Sequence, residues 1–218
     1  MTYESIKNDP AIRTYIQNAD KALLALGFTE HSFQHVCRVA EKSGEILEVL
    51  GFDPRTAELA RIAALLHDIG NLVNRVQHSQ SGALMAFRIL DQKGMDPEEI
   101  SQIVSAIGNH DEGTGTPVNE IAAALILADK ADVRKTRVRN QNQKKFDIHD
   151  RVNFSVEKSN LSVLAKEKKI VLQLSIDTEV SPVMEFFEIF TERMRLCRKA
   201  AETLSCRFCL VINGQELL

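Results

Sequence analysis

The sequence predicts a mainly α protein: a helical bundle over residues 1–146, followed by a small α+β unit of ββαβ order over residues 147–218. Three observations carry that reading. Up to Arg139, apolar residues recur at helical spacing behind helix-start signals. The polar stretch Asn140-Gln141-Asn142-Gln143 then breaks the pattern, and beyond it apolar runs flank Lys166-Glu167-Lys168-Lys169 as a hairpin would require.

The elements follow in order. Val36, Val39, Ala40, Leu47 and Leu50 form a stripe with His35 beside it, and Thr29 is the candidate cap upstream. Asp53-Pro54 supplies an N-cap and a first-turn proline to a largely apolar helix carrying Leu59, Ile62, Ala63, Leu65 and Leu66, which ends at His67-Asp68. His78 opens the helix that carries Ala83, Leu84, Phe87 and Leu90. Asp96-Pro97-Glu98-Glu99 gives a cap, a proline and a capping-box acid, and Ile103, Ile107 and His110 follow at helical spacing. From Val118 onward Ile121, Leu125 and Asp129 stand four apart, which stacks the carboxylate on the face of two core residues. In the second unit, Leu161–Ala165 and Ile170–Ile176 read as the hairpin and Ser181-Pro182 starts a long helix. That helix sets Val183, Phe186, Phe187, Phe190, Met194, Cys197, Ala201 and Leu204 on one face, a stripe that reads as core, and Phe208–Ile212 is the last strand. The sheet face needs covering by that helix or by a second subunit, so a homodimer stays open.

At 218 residues, 44% hydrophobic and 26% charged, the chain suffices for one sizeable core and an appendage. It has no apolar run of membrane-spanning length, and its N-terminus lacks a signal-peptide pattern, so a cytoplasmic enzyme is expected. Cys37, Cys197, Cys206 and Cys209 show no disulfide framework; Cys206-Arg-Phe-Cys209 stands without a second pair and reads as buried free thiols. A net charge of −3 argues against a general nucleic-acid binder. Positive charge nevertheless gathers after Asp129, at Lys130, Arg134, Lys135, Arg137, Arg139, Lys144 and Lys145. Continued as a helix, that segment would place Lys130 and Arg134 four apart, beside Asp129 and able to hold phosphate; the alternative is a solvated basic loop.

The chemistry lies in the ordered string His35, His67-Asp68, His78, His110, Asp129. One histidine at a helix end is usually an ordinary core or surface residue. Six ligand-type side chains at the ends or inward faces of successive helices are a metal site, because buried imidazole and carboxylate are costly unless paired or bound to an ion. The donors suit one or two divalent transition-metal ions (iron, manganese, zinc or nickel), and the lack of cysteine in the set argues against structural zinc.

With the local strings LLHDIGN and LADKADVR, this order resembles the HD-domain metal-dependent phosphohydrolases over roughly residues 25–140. The resemblance implies that His35, His67, Asp68 and Asp129 hold a first metal and that Asp68 bridges to a second. His78 and His110 match the two extra histidines of a dinuclear branch that includes diadenosine tetraphosphate hydrolases, cyclic-di-nucleotide phosphodiesterases and a few di-iron oxygenases. Asn71 stands where the cyclic-di-nucleotide enzymes carry a lysine, and their Gly-Tyr-Pro tripeptide is missing, which argues against that activity. The interval from Asp68 to His78 is short, so a mononuclear site with His78 as a loop or phosphate contact is the alternative.

The expected activity is metal-assisted hydrolysis of a phosphate ester or anhydride in a nucleotide-like small molecule. Asp68, Lys130, Arg134 and Asp111 are the candidate catalytic residues, and Lys130, Arg134, Arg137 and Asn71 the candidate substrate contacts. Asp111 or Asp132 could orient a ligand imidazole or shuttle a proton. A di-iron oxygenase and a regulatory metal-binding module on the same fold are the competing expectations.

Overall fold

The protein is described from a computed structural model, which covers residues 1–140 and 142–218. The first part comprises α1 (Tyr3–Lys7), α2 (Pro10–Ala25), α3 (Phe33–Val49), α4 (Pro54–Leu66), α5 (His78–Gln92), α6 (Pro97–Gly108) and α7 (Glu120–Ala131). The second comprises α8 (Ile148–Ser155), β1 (Val156–Leu164), β2 (Lys169–Ile176), α9 (Val183–Thr203), β3 (Arg207–Ile212) and the two-residue β4 (Gln215–Glu216).

One local device starts three of the bundle helices. Asp9, Asp53 and Asp96 each accept from two backbone N–H groups of the first turn, and each precedes a proline whose fixed φ suits the first helical position. The capping-box expectation at Glu99 is corrected: that carboxylate pairs with Arg55 of α4, tying α6 to α4 instead of closing back on its own N-terminus. Ser32 rather than Thr29 caps α3, through its hydroxyl on Gln34 N; the Thr29 carbonyl accepts from the His31 ring instead. On α5 the buried face is His78, Ser79, Gly82, Ala83, Ala86 and Leu90. Leu84 and Phe87, expected in that stripe, are 70% and 49% exposed, because small residues are needed where α5 approaches its neighbours.

Helix α7 is the axis of the molecule. Every residue from Ile121 to Ala131 is buried, with α3, α4 and α6 packed around it, and with α9 and β1 covering it from the second part. The sheet runs β1-β2-β3-β4, antiparallel except for the parallel β2–β3 pair that α9 connects. Phe186, Phe190, Met194, Cys197 and Ala201 form the buried face of α9, and they join the same core cluster as the bundle residues. The ββαβ order is thus present, with α8 ahead of it and β4 behind. Strand β1 begins at Val156, five residues before the expected Leu161: Glu157, Lys158 and Asn160 are exposed, so the early part of the strand has no apolar alternation to show. Among the described residues no helix is long and apolar enough to cross a membrane.

Candidate metal centre

Five elements end at one pole of the bundle. His35 lies in the first turn of α3, His67 and Asp68 close α4, His78 opens α5, His110 follows α6, and Asp129 sits in the last turn of α7. Close backbone approach is what brings the His67-Asp68 turn against α5. A Cβ on Gly70 would lie 2.0 Å from the His78 carbonyl, so only glycine fits at that position of LLHDIGN.

Each of the four imidazoles is oriented through Nδ1. His67 bonds the Ala64 carbonyl at 2.7 Å, His110 the Ile107 carbonyl at 2.7 Å, His78 the Arg75 carbonyl at 3.1 Å, and His35 the Asp132 carboxylate at 2.7 Å. Acceptors at Nδ1 hold a proton there and turn every Nε2 inward, where its lone pair can serve a metal. His35 Nε2 is 3.4 Å from Asp129 Oδ1 and 3.7 Å from Asp68 Oδ2; His67 Nε2 is 3.2 Å from Asp68 Oδ2. The other Asp68 oxygen, Oδ1, faces His78 Nε2 at 3.6 Å, and His78 Nε2 stands 3.2 Å from His110 Nε2. The two oxygens of Asp68 therefore face two different sets of histidines.

The residues fit a divalent metal. His35 Nε2, His67 Nε2 and Asp68 Oδ2 are buried polar atoms with no hydrogen-bond partner among the described residues, an arrangement that is costly unless an ion completes it. Metal bonds of about 2.0–2.2 Å place neighbouring ligand atoms roughly 3–3.6 Å apart, matching the separations here. Two groupings meet the spacing for a shared ion, His35 with His67 and Asp129, and His67 with Asp68 and His110. Electrostatics agree. Burial opposes ionisation of Asp68 and Asp129, yet His67 beside the first and Lys130 beside the second hold both carboxylates well below the usual range. Burial likewise disfavours a charged His67, but Asp68 and Asp129 outweigh it and raise that imidazole to about 10. The site demands positive charge. Burial, reinforced by His67 and Lys130, lowers His110 to about 3, so this ligand is a neutral donor.

Around the ligands stands a layer of supports. Asp132 orients His35 and is itself gripped by Arg134 Nε at 2.8 Å. Asn71 donates its amide to the Asp68 carboxylate at 2.8 Å. Lys130 Nζ bonds Asp129 at 2.6 Å and Glu112 at 3.0 Å. The residues expected to contact phosphate make the following contacts within the chain. Helix α7 stops at Ala131, so Lys130 and Arg134 do not form a helical pair; Lys130 is buried between two carboxylates, and Arg134 is held by Asp132 and Glu30. Asn71 spends both amide hydrogens on Asp68, one on its carboxylate and one on its backbone carbonyl. Arg137 does line the cleft, but its Nε and Nη1 serve the backbone carbonyls of Glu30 and Asp132.

The cleft holds about 580 Å³ and is lined by Phe28, His31, Arg75, Asp111, Glu112 and Arg137 from the bundle side and by α8 and α9 residues, including Phe190 and Arg193, from the other. Among the described residues none of the six clustered side chains lines it; the cleft adjoins the cluster through Arg75, whose Nη1 lies 3.4 Å from His78 Nε2 and 4.0 Å from Asp68 Oδ1. Asp111 lines this cleft beside His110, with no hydrogen bond to its carboxylate among the described residues. The sequence reading names none of Arg193, His31 and Arg75 among its candidate site residues. Arg75 carries a signal in hindsight, since it falls in the short loop between two ligand pairs; Arg193, on a helix read as core, carries none.

A family model for the HD domain matches residues 32–150, a span that includes all six residues of this cluster. The chain belongs to the HD domain family. An uncharacterized protein of Methanocaldococcus jannaschii is 26% identical, with 89% of this chain and 83% of that protein aligned. A crystal structure of a predicted HD superfamily hydrolase from an uncultured Thermotogales bacterium is 29% identical over 60% of this chain and 73% of that one, with a TM-score of 0.43. In this HD domain the His-Asp pair is His67-Asp68, at the turn where Gly70 meets α5. The family match stops at residue 150, whereas the cleft that adjoins the cluster through Arg75 continues into α9.

Proposed function

We propose that this HD domain protein is a metal-dependent phosphohydrolase that acts on a phosphate ester or anhydride of a nucleotide-like small molecule. One observation carries the reading: inward-facing Nε2 and carboxylate atoms, without a hydrogen-bond partner among the described residues, gather beside a cleft whose lining includes Arg75, Arg137 and Arg193. A divalent ion held by His35, His67, Asp68 and Asp129, with a second toward His78 and His110, would acidify a bound water and offset charge on phosphoryl oxygens. The chain's own residues do the rest. Asn71 and Asp132 fix the orientation of Asp68 and His35, so that the ligand atoms need no rearrangement on reaction. Arg75 reaches from the cleft to the cluster, and its Nε and Nη2, without a hydrogen-bond partner among the described residues, can serve phosphoryl oxygens. Asp111 is the group placed to take a proton from water at its carboxylate and return it to the leaving oxygen, as the P–O bond breaks and hydroxide adds to phosphorus.

The test is metal analysis of protein purified without added metal, followed by a phosphate-release screen over nucleotides and dinucleoside polyphosphates with Mn²⁺ or Zn²⁺. Activity that persists without oxygen supports hydrolysis. Strict dependence on iron and dioxygen, with no phosphate released from any compound, overturns it in favour of an oxygenase.

A further inference from the structure

Arg193 reaches the cleft from α9, outside the segment that the family model matches. Its Nε donates to Glu112 at 2.8 Å; Glu112 holds Lys130 at 3.0 Å, and Lys130 holds the ligand Asp129 at 2.6 Å. The charges alternate in sign from ligand to cleft, and their sum is zero. Once a cation engages Asp129, the three remaining groups carry a surplus positive charge, and Arg193 is the cation among them that lines the cleft, beside Glu112. Neither of its Nη atoms has a hydrogen-bond partner among the described residues. Burial opposes the charge, but Glu112 and Asp129 outweigh it and raise the guanidinium further, so it is always a cation.

The side chain is also braced. Its guanidinium carbon lies 4.2 Å from the centroid of the Phe190 ring, and on the bundle side Arg75 stands 5.7 Å from that of Phe28. Two arginines thus line one cleft, each beside an aromatic ring, each with free guanidinium N–H groups, and each supplied by a different part of the chain. They differ in depth. Arg75 touches Asp68 and His78 directly, whereas Glu112 and Lys130 intervene between Arg193 and the ligand Asp129. A phosphoryl group seated on the ligands lies within the reach of Arg75; Arg193 addresses negative charge one group further out. A volume of about 580 Å³ leaves room for that group, being well within the roughly 300–1,000 Å³ of small-molecule sites.

We propose that Arg193 binds the second phosphate of a phosphoanhydride, so that the C-terminal unit supplies a specificity residue and the substrate class is a compound with two or more linked phosphates rather than a phosphomonoester. This rests on the phosphohydrolase reading above. Nucleoside polyphosphates and inorganic polyphosphates share that chemistry, and comparing ATP with tripolyphosphate separates them.

The experiment is calorimetric titration of Mn²⁺-loaded full-length protein with orthophosphate, tripolyphosphate and ATP, with bound metal counted in each variant. Wild type should bind tripolyphosphate or ATP at least about tenfold more tightly than orthophosphate, and Arg193→Met should erase most of that preference at unchanged metal content, as expected for loss of a charge-assisted fork. Arg193→Lys, which keeps the charge and the packing stem, should recover part of it. The Arg193 assignment is overturned if Arg193→Met and Arg193→Lys both retain the full preference, if wild type shows none, or if both variants lose metal together with the preference. If wild type releases no phosphate from any compound, the hydrolase reading fails; the anion titration still decides the role of Arg193 by itself.

Discussion

Two clusters of charged side chains flank the end of α7, and their bonding is opposite. On the inward side, His35, His67 and Asp68 present buried atoms that no protein group satisfies. On the chain that follows, the cations are engaged: Lys130 by Asp129 and Glu112, Arg134 by Asp132 and Glu30, Arg137 by two carbonyls, Arg139 by Asp20, and Lys135 over the Phe154 ring. Both regions look chemically rich as sequence. The first concentrates its unmet bonding capacity on ligand-type atoms that face one another, and that is what marks it as a place for a ligand; in the second, Arg134 Nη2 is buried without a partner among the described residues, while the bonds just named keep the first in shape.

The largest effect should come from the residue that faces both histidine sets. Asp68→Ala should leave the protein unable to retain metal, whereas His78→Ala or His110→Ala should remove about one ion and keep the other. Stripping the wild type with a chelator should lower its unfolding free energy by roughly 3–4 kcal/mol, the linkage expected when free metal exceeds the dissociation constant by 100- to 1,000-fold. Metal counting and thermal melts check both. Saturation of wild type by a single ion would break the two-set description.

Next in size is Lys130→Met. The sequence reading made Lys130 a phosphate contact, and on that view its loss would spare the fold. Enclosed between Asp129 and Glu112, it instead neutralises two buried carboxylates, so removal should destabilise by about 3–5 kcal/mol, as when one partner of a buried pair is deleted. Burial works against the lysine's charge, but Asp129 and Glu112 raise it to about 12, so it remains protonated at any pH at which the fold is assayed. A melt indistinguishable from wild type would show that the carboxylates find solvent when the lysine is gone.

What could be read from the sequence divides along the same line. The six clustered side chains were legible because each is tied to a local signal: a helix end, a buried face, or the strings LLHDIGN and LADKADVR. The partners of the cations were not, because Glu30 and Asp20 lie more than a hundred residues upstream of Arg134, Arg137 and Arg139, and only the packing of α2 and α3 brings them there. For the same reason Arg193 read as part of a core helix. The hairpin and α9 were legible from alternation and from the Phe186, Phe190, Met194 spacing, while α8 was not, its short run Ile148–Ser155 carrying too few apolar residues to show a period.

Asp132 gives a smaller test, on the support layer. Asp132→Asn keeps the size but weakens the charge-assisted bond to His35 Nδ1, and loss of such an outer contact typically costs about 10–100-fold in metal affinity. Arg134→Ala should act in the same direction and more weakly, through its grip on Asp132, and should not raise KM selectively. A chelator competition resolves the two. A selective KM increase in Arg134→Ala would restore that arginine to the substrate.

The smallest expected effect is also the sharpest control. Arg139 sits ten residues beyond Asp129 and pairs with Asp20 of α2, with both side chains about one-fifth exposed. A pair this close to solvent contributes about 0.2–1 kcal/mol. For a chain of this length that is a drop in Tm of roughly 2–4 °C at most. Arg139→Ala should therefore melt slightly early, hold its metal and release phosphate at the wild-type rate, because this guanidinium does not line the cleft and is joined to it, among the described residues, only through Asp20, which also accepts from His31 N. The same truncation at Arg193 is expected to change anion selectivity, although both are arginines held by one carboxylate. What separates them is where the free N–H groups face. If Arg139→Ala lowered kcat/KM by tenfold or more while Tm barely moved, the basic stretch would be taking part in substrate recognition, and bonding capacity left unmet in the folded chain would no longer distinguish the site from its scaffold.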